Sequence, residues 1–102
     1  MTEAMRMRVS YTVVLMPDME GGYVVEVPAL PGCTTYGETL GDAMLMAEDA
    51  IGGYLAVLRE DGDPVPREGK HVTLSLGRKR EAILRKVALA LPQDERYTPV
   101  GA

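Results

Sequence analysis

The pattern of apolar and polar positions changes period once along this chain, and the change marks out its elements. From Val9 to Met16 β-branched and aromatic residues crowd together, as in a strand. Pro17-Asp18-Met19-Glu20-Gly21-Gly22 interrupts the run, and its two glycines suit the positive φ angles of a hairpin loop. Tyr23, Val25 and Val27 then alternate with Val24 and Glu26, so a second strand buries one face. Pro28 ends it, because proline has no N–H to give to a ladder. After the Pro31-Gly32 turn, Thr34 to Tyr36 forms a short third strand. The spacing predicts a three-stranded antiparallel meander.

At Thr39 the period becomes helical. Thr39 is a good N-cap, and Asp42 follows three residues on, close to a capping box. Leu40, Ala43, Met44, Ala47, Ile51, Tyr54, Leu55 and Leu58 recur at three- and four-residue intervals, one apolar face of a helix. Asp61-Gly62-Asp63-Pro64 stops it near Glu60. Gly52-Gly53 conflicts with this reading, since each glycine costs about 1 kcal/mol against alanine inside a helix. Close approach of the helix to the sheet or to a second subunit would explain the pair, and so would a kink. Beyond the extended Pro64-Val65-Pro66, the alternation of Val72, Leu74 and Leu76 predicts a fourth strand over His71 to Leu76.

Residues 78–91 support two patterns. Ile83, Leu84, Val87, Ala88 and Leu91 fit a helical stripe, whereas Ala82, Leu84, Lys86, Ala88 and Ala90 would alternate along a strand. The weight of Ala, Leu, Arg, Lys and Glu favours a short C-terminal helix, ended by Pro92. The expected fold is a single small α+β domain in β-β-β-α-β order, with one helix packed on an antiparallel sheet. The division is a domain over 9–77 and a basic C-terminal helix and tail over 78–102.

Composition sharpens this picture. The 102 residues include seven Met and five Tyr but no Phe or Trp, so aliphatic side chains and methionine must fill a modest core. Self-association into a dimer or tetramer would add buried area. Residues 1–77 hold five Lys/Arg against twelve Asp/Glu, and residues 78–102 hold six against three. An acidic body suits a basic partner, and a basic end suits a polyanion. Arg78, Lys79, Arg80, Arg85 and Lys86 are the candidate contacts for nucleic acid or a partner, although no aromatic residue is interleaved with them.

Catalytic and metal-binding patterns are missing from the sequence: no nucleophile elbow, phosphate loop, dinucleotide fingerprint or paired-cysteine zinc spacing occurs. Cys33 reads as a small buried hydrophobe, and His71 as a half-exposed strand residue with no carboxylate or cysteine at metal-ligand spacing. Glu20, Glu26 and Glu38 have no spacing that requires them to converge. The expectation is a binding protein rather than an enzyme, with no cofactor and no metal. A single cysteine, the lack of a signal-like N-terminus and the short apolar runs point to the cytoplasm and away from a membrane.

The ordered set Gly21-Gly22-Tyr23, Val27-Pro28-Ala29-Leu30-Pro31-Gly32-Cys33 and Gly37-Glu38-Thr39-Leu40 with Ala43 resembles the HicB-like antitoxin family. Ala50-Ile51, Tyr54-Leu55 and Gly62-Asp63-Pro64-Val65-Pro66 extend the likeness, which covers about residues 10–76. The resemblance implies a pared-down ribonuclease H-like domain without catalytic acids. It also implies a role in neutralising a small, basic, mRNA-cleaving toxin of the HicA type. Family members often add a C-terminal DNA-binding domain; residues 78–102 are expected to hold one helix and a tail, short of the strand and two helices of a ribbon-helix-helix half. A solitary oligomeric protein, or a small nucleic-acid-binding regulator acting through the basic segment, is the alternative.

Overall fold

The computed structural model describes residues 6–74 and 81–92. Strand β1 runs from Arg6 to Pro17, β2 from Tyr23 to Glu26 and β3 from Thr34 to Gly37. Helix α1 spans Leu40–Glu60, and strand β4 spans Ile83–Pro92. The four strands form one antiparallel sheet in the order β3-β2-β1-β4. Among the described residues, no helix is long and apolar enough to cross a membrane.

The meander forms where the sequence places it. Gly21 and Gly22 both take positive φ, 103° and 76°, and the loop closes through Asp18 N–H to the Gly22 carbonyl at 2.9 Å. The Tyr36 hydroxyl donates to the Gly21 carbonyl at 2.9 Å, which ties β3 to the hairpin. A Cβ on Gly22 would lie 2.2 Å from that hydroxyl oxygen. Between β2 and β3 the chain turns around buried Leu30, with Cys33 N–H donating to the Leu30 carbonyl and Val27 N–H to the Cys33 carbonyl.

Both ends of α1 are capped by local chemistry. The Thr39 hydroxyl accepts from Asp42 N–H at 3.0 Å. At the other end Gly62 takes φ 75°, with its N–H on the Arg59 carbonyl and Asp63 N–H on the Leu58 carbonyl. This is a Schellman closure, which satisfies carbonyls that the helix leaves unpaired. Ala43, Ala47, Ile51 and Leu55, spaced by four, form the fully buried stripe. They pack on Tyr11, Val13, Leu15, Val25 and Val27, with Leu30, Cys33 and Val65 closing the core.

Gly37 decides how the helix sits. A Cβ there would come within 2.3 Å of the Ala43 nitrogen and 2.4 Å of its Cα. The last residue of β3 therefore lies backbone to backbone against the first turn of α1. Gly52 and Gly53 do not share this role. Among the described residues, no atom outside the helix's own backbone lies within 4 Å of a Cβ placed on either, so neither a close approach to the sheet nor a break in α1 accounts for the pair.

The fourth strand is not where the sequence reading put it. Residues 71–74 have no regular structure, and the rest of that expected strand lies outside the described residues. The place beside β1 belongs to β4, in the segment for which a C-terminal helix was expected. Helix propensity favoured the wrong state because it counts residues one by one. Pairing with β1 over ten positions, Arg6↔Pro92 to Leu15↔Ile83, outweighs it. Ile83, Val87, Leu89 and Leu91 then extend the core row of the sheet, the parity opposite to Ala82, Leu84, Lys86, Ala88 and Ala90. Residues 93–102, expected as a tail, lie outside the described residues.

Because the helix at Gly53 meets open space, Gly53→Ala should stabilise the domain by about 0.5–1 kcal/mol. Gly22→Ala should destabilise it, through both its positive φ and the clash with Tyr36. Urea unfolding midpoints of the two variants check the opposite signs.

Candidate partner-binding surfaces

Beyond the end of β2, strands β1 and β4 continue as a two-stranded ribbon. Such a ribbon has little stability by itself. The segment after α1 supports it. Val65 is buried in the core, and the Tyr11 hydroxyl donates to the Pro66 carbonyl at 2.5 Å. Pro28 has taken β2 away from β1 at this point, and Glu68 supplies what the ladder lacks. One oxygen of its carboxylate accepts from Thr12 N–H at 2.5 Å, and the other accepts from the Thr12 hydroxyl at 2.8 Å and from the Lys86 ammonium.

Burial by itself would raise the Glu68 pKa. The hydrogen bonds from Lys86 and Thr12, together with the Lys86 charge, outweigh it and hold the carboxyl below its ordinary value. Glu68 is therefore ionised at neutral pH and clamps β1, β4 and the post-helix segment together. Beside it opens a cleft of about 360 Å³, lined by Arg8, Ser10, Tyr11, Pro66, Arg67 and Lys86 among others. Its rim is cationic.

The outer face of α1 has a different character. Leu45, Met46 and Val57 are exposed to 66%, 43% and 57%, with Asp49, Gly53 and Ala56 between them at helical spacing. Asp42, Glu48, Asp49 and Glu60 are exposed along the same helix. This face is apolar in the middle and acidic around it.

The expected contact residues are divided. Arg78, Lys79 and Arg80 lie outside the described residues. Arg85 and Lys86 are both exposed, but as neighbours on a strand they point to opposite faces of the sheet. Lys86 is engaged by Glu68, and the Arg85 guanidinium donates to the Leu84 carbonyl at 3.2 Å. The continuous basic face that a helix would have offered does not form over β4. Sequence reasoning overlooked Glu68, whose partners are 56 and 18 positions away. The outer α1 residues carry no signal of their own in the sequence, because the apolar stripe marks only the opposite face.

No group of three or more His, Cys, Asp or Glu residues placed to hold a metal occurs among the described residues. Glu20, Glu26, Glu38 and His71 are all exposed. Cys33 is buried, and burial pushes its thiol pKa up, which disfavours the nucleophilic thiolate.

Residues 11–93 match the model of a family described as the HicB-like antitoxin of bacterial toxin-antitoxin systems. The chain belongs to the HicB-like antitoxin family. The matched region includes β4 as well as the meander and helix. The chain is 43% identical over 58 residues to a UPF0150 protein of Thermoplasma acidophilum, covering 57% of this chain and 84% of that relative. It resembles the crystal structure of the Burkholderia pseudomallei antitoxin HicB with a TM-score of 0.61 and 28% identity. That match covers 78% of this chain but 61% of the Burkholderia antitoxin, so the HicB-like chain spans about three-fifths of its length. A HicA3 and HicB3 toxin-antitoxin complex contains a chain similar at a TM-score of 0.52 and 27% identity, covering 62% of this chain and 72% of that one.

The Glu68 clamp gives a pH-dependent prediction. Glu68→Ala should cost about 1.5–3 kcal/mol at pH 7, the range for hydrogen bonds to a charged group. The folded pKa is depressed, so this contribution is fully present above the unfolded carboxylate value of about 4.3 and is lost as pH falls through the lower folded value. Unfolding free energies of wild type and Glu68→Gln should converge as the pH is taken down to about 3.

Proposed function

We propose that this HicB-like chain is the protein antidote of a toxin-antitoxin pair, acting in the cytoplasm. It binds and neutralises a small, basic HicA-type toxin without catalysing a reaction. The observation that carries this reading is the outer face of α1, where Leu45, Met46 and Val57 are exposed among acidic residues. Exposed apolar side chains ringed by charge suit a protein interface, since burial supplies affinity and charge guides encounter. A basic toxin is the complementary partner. The likeness to a chain of a HicA3 and HicB3 complex supports the same choice.

The protein works as a homo-oligomer in this reading, a dimer or a tetramer. A core without Phe or Trp supports that, because self-association enlarges the buried apolar area. A second reading, an oligomer with no toxin partner, is favoured by the Thermoplasma relative, 84% of which is this shared domain.

Co-expression with a HicA-type toxin from the same locus tests the antidote reading. Wild type should restore growth. The double variant Leu45→Lys, Val57→Lys should fold normally, because both side chains are exposed, yet bind toxin at least about tenfold more weakly. Restored growth with undiminished binding by the double variant would move the interface off α1. Failure of wild type to protect the cells would leave the solitary oligomer.

A further inference from the structure

The sheet has two edges, and they differ. β3 is four residues long and ends at Gly37 under the first turn of α1. β4 is ten residues long, and among the described residues nothing pairs with its outer side. Natural proteins blunt exposed edges with short strands, charges, proline or a cover. β4 carries Arg85 and Lys86 near its start and proline only at its end, with the uncharged run Val87–Leu91 between.

The direction of its backbone groups follows from one hydrogen bond. Thr12 N–H points to Glu68, on the side of β1 away from β4. In an antiparallel pair these directions alternate, so the odd-numbered residues of β1 bond to β4. Their partners in register, Arg85, Val87 and Leu89, bond back. Leu84, Lys86, Ala88 and Ala90 therefore direct their N–H and carbonyl groups outward. Of these, the Leu84 carbonyl already accepts from Arg85.

We infer that the outer edge of β4 pairs antiparallel with β4 of a second copy, about a twofold axis at Ala88, to give an eight-stranded sheet. The inference rests on the homo-oligomeric part of the proposed function and identifies its surface. The strand's own charge pattern selects this occupant. Twofold pairing about Ala88 sets Lys86 opposite the partner copy's Ala90 and Arg85 opposite its Leu91, so each charged half meets an uncharged half. Parallel, in-register pairing would stack like charges directly, which is destabilising. The same twofold sets Leu84 opposite Pro92, which has no N–H to offer. Arg85 fills that role by donating to the Leu84 carbonyl.

The test is the mass of the full chain by light scattering over a dilution series. Wild type should show twice 11.1 kDa, or twice that again where two such dimers associate. Ala88→Pro removes an outward donor and no bond to β1, so it should give a monomer with unchanged circular dichroism. Ala88→Lys places like charges across the twofold and should raise the dimer dissociation constant at least about tenfold. Ala88→Cys in oxidised glutathione should give a covalent dimer, whereas wild type, whose Cys33 is buried, should not. A wild-type monomer at every concentration would overturn the inference, as would a dimer indifferent to Ala88→Pro and Ala88→Lys. Capture of the toxin instead, abolished by Ala88→Pro, would also overturn it and assign the edge to that partner. Toxin binding that survives in monomeric Ala88→Pro supports this surface and leaves the α1 reading to its own test.

Discussion

The backbone contact between Gly37 and the first turn of α1 sets how the helix is seated on the sheet. With no side chain at Gly37, the helix lies against the end of β3 at backbone distance. Ala43 and Ala47 are small enough to follow it down, and both are fully buried. Further along, the larger Ile51 and Leu55 are fully buried in the same core as Val65 and the β1 side chains Tyr11, Val13 and Leu15. The helix is thus seated from its N-terminal end, and the larger side chains pack where the approach loosens. Any side chain at Gly37 would displace the Ala43 backbone, which cannot yield without lifting the helix off the meander.

Seating the helix this way covers only part of the sheet. The meander is four residues wide along β2 and β3, whereas β1 extends well past them. The remainder of β1 depends on β4 and on the segment after the helix. Tyr11 to Pro66 and Thr12 to Glu68 to Lys86 join three stretches of chain that are distant in sequence. Glu68 takes the ladder position that Pro28 abandons. A charged acceptor is effective there because it satisfies a backbone donor and a lysine with one carboxylate.

The same architecture separates the molecule's surfaces by sign. The outer side of α1 is acidic with an apolar centre, while the ribbon and its cleft carry Arg8, Arg67 and Lys86. Leu45, Met46 and Val57 are exposed together on the outer side of the helix. Opposite signs on two separate surfaces permit two different contacts at once, as the proposed antidote role requires.

The meander, the helix and its caps are legible in the amino-acid sequence alone. Gly21-Gly22, Pro28, Thr39 and Gly62 act on the backbone within a few residues of themselves, so their meaning is local. The family likeness was legible for the same reason, since it rests on that ordered punctuation. Only the tertiary structure decided the fate of residues 83–92, where local propensity and pairing disagreed and β1 supplied ten partners. Only it could assign Glu68, whose role exists through Thr12 and Lys86. It also split Arg85 from Lys86 across the sheet and put Gly52-Gly53 in open space rather than against it. Strand pairing and side-chain clamps are made between residues far apart in the chain, and no local pattern records which partner the fold will bring.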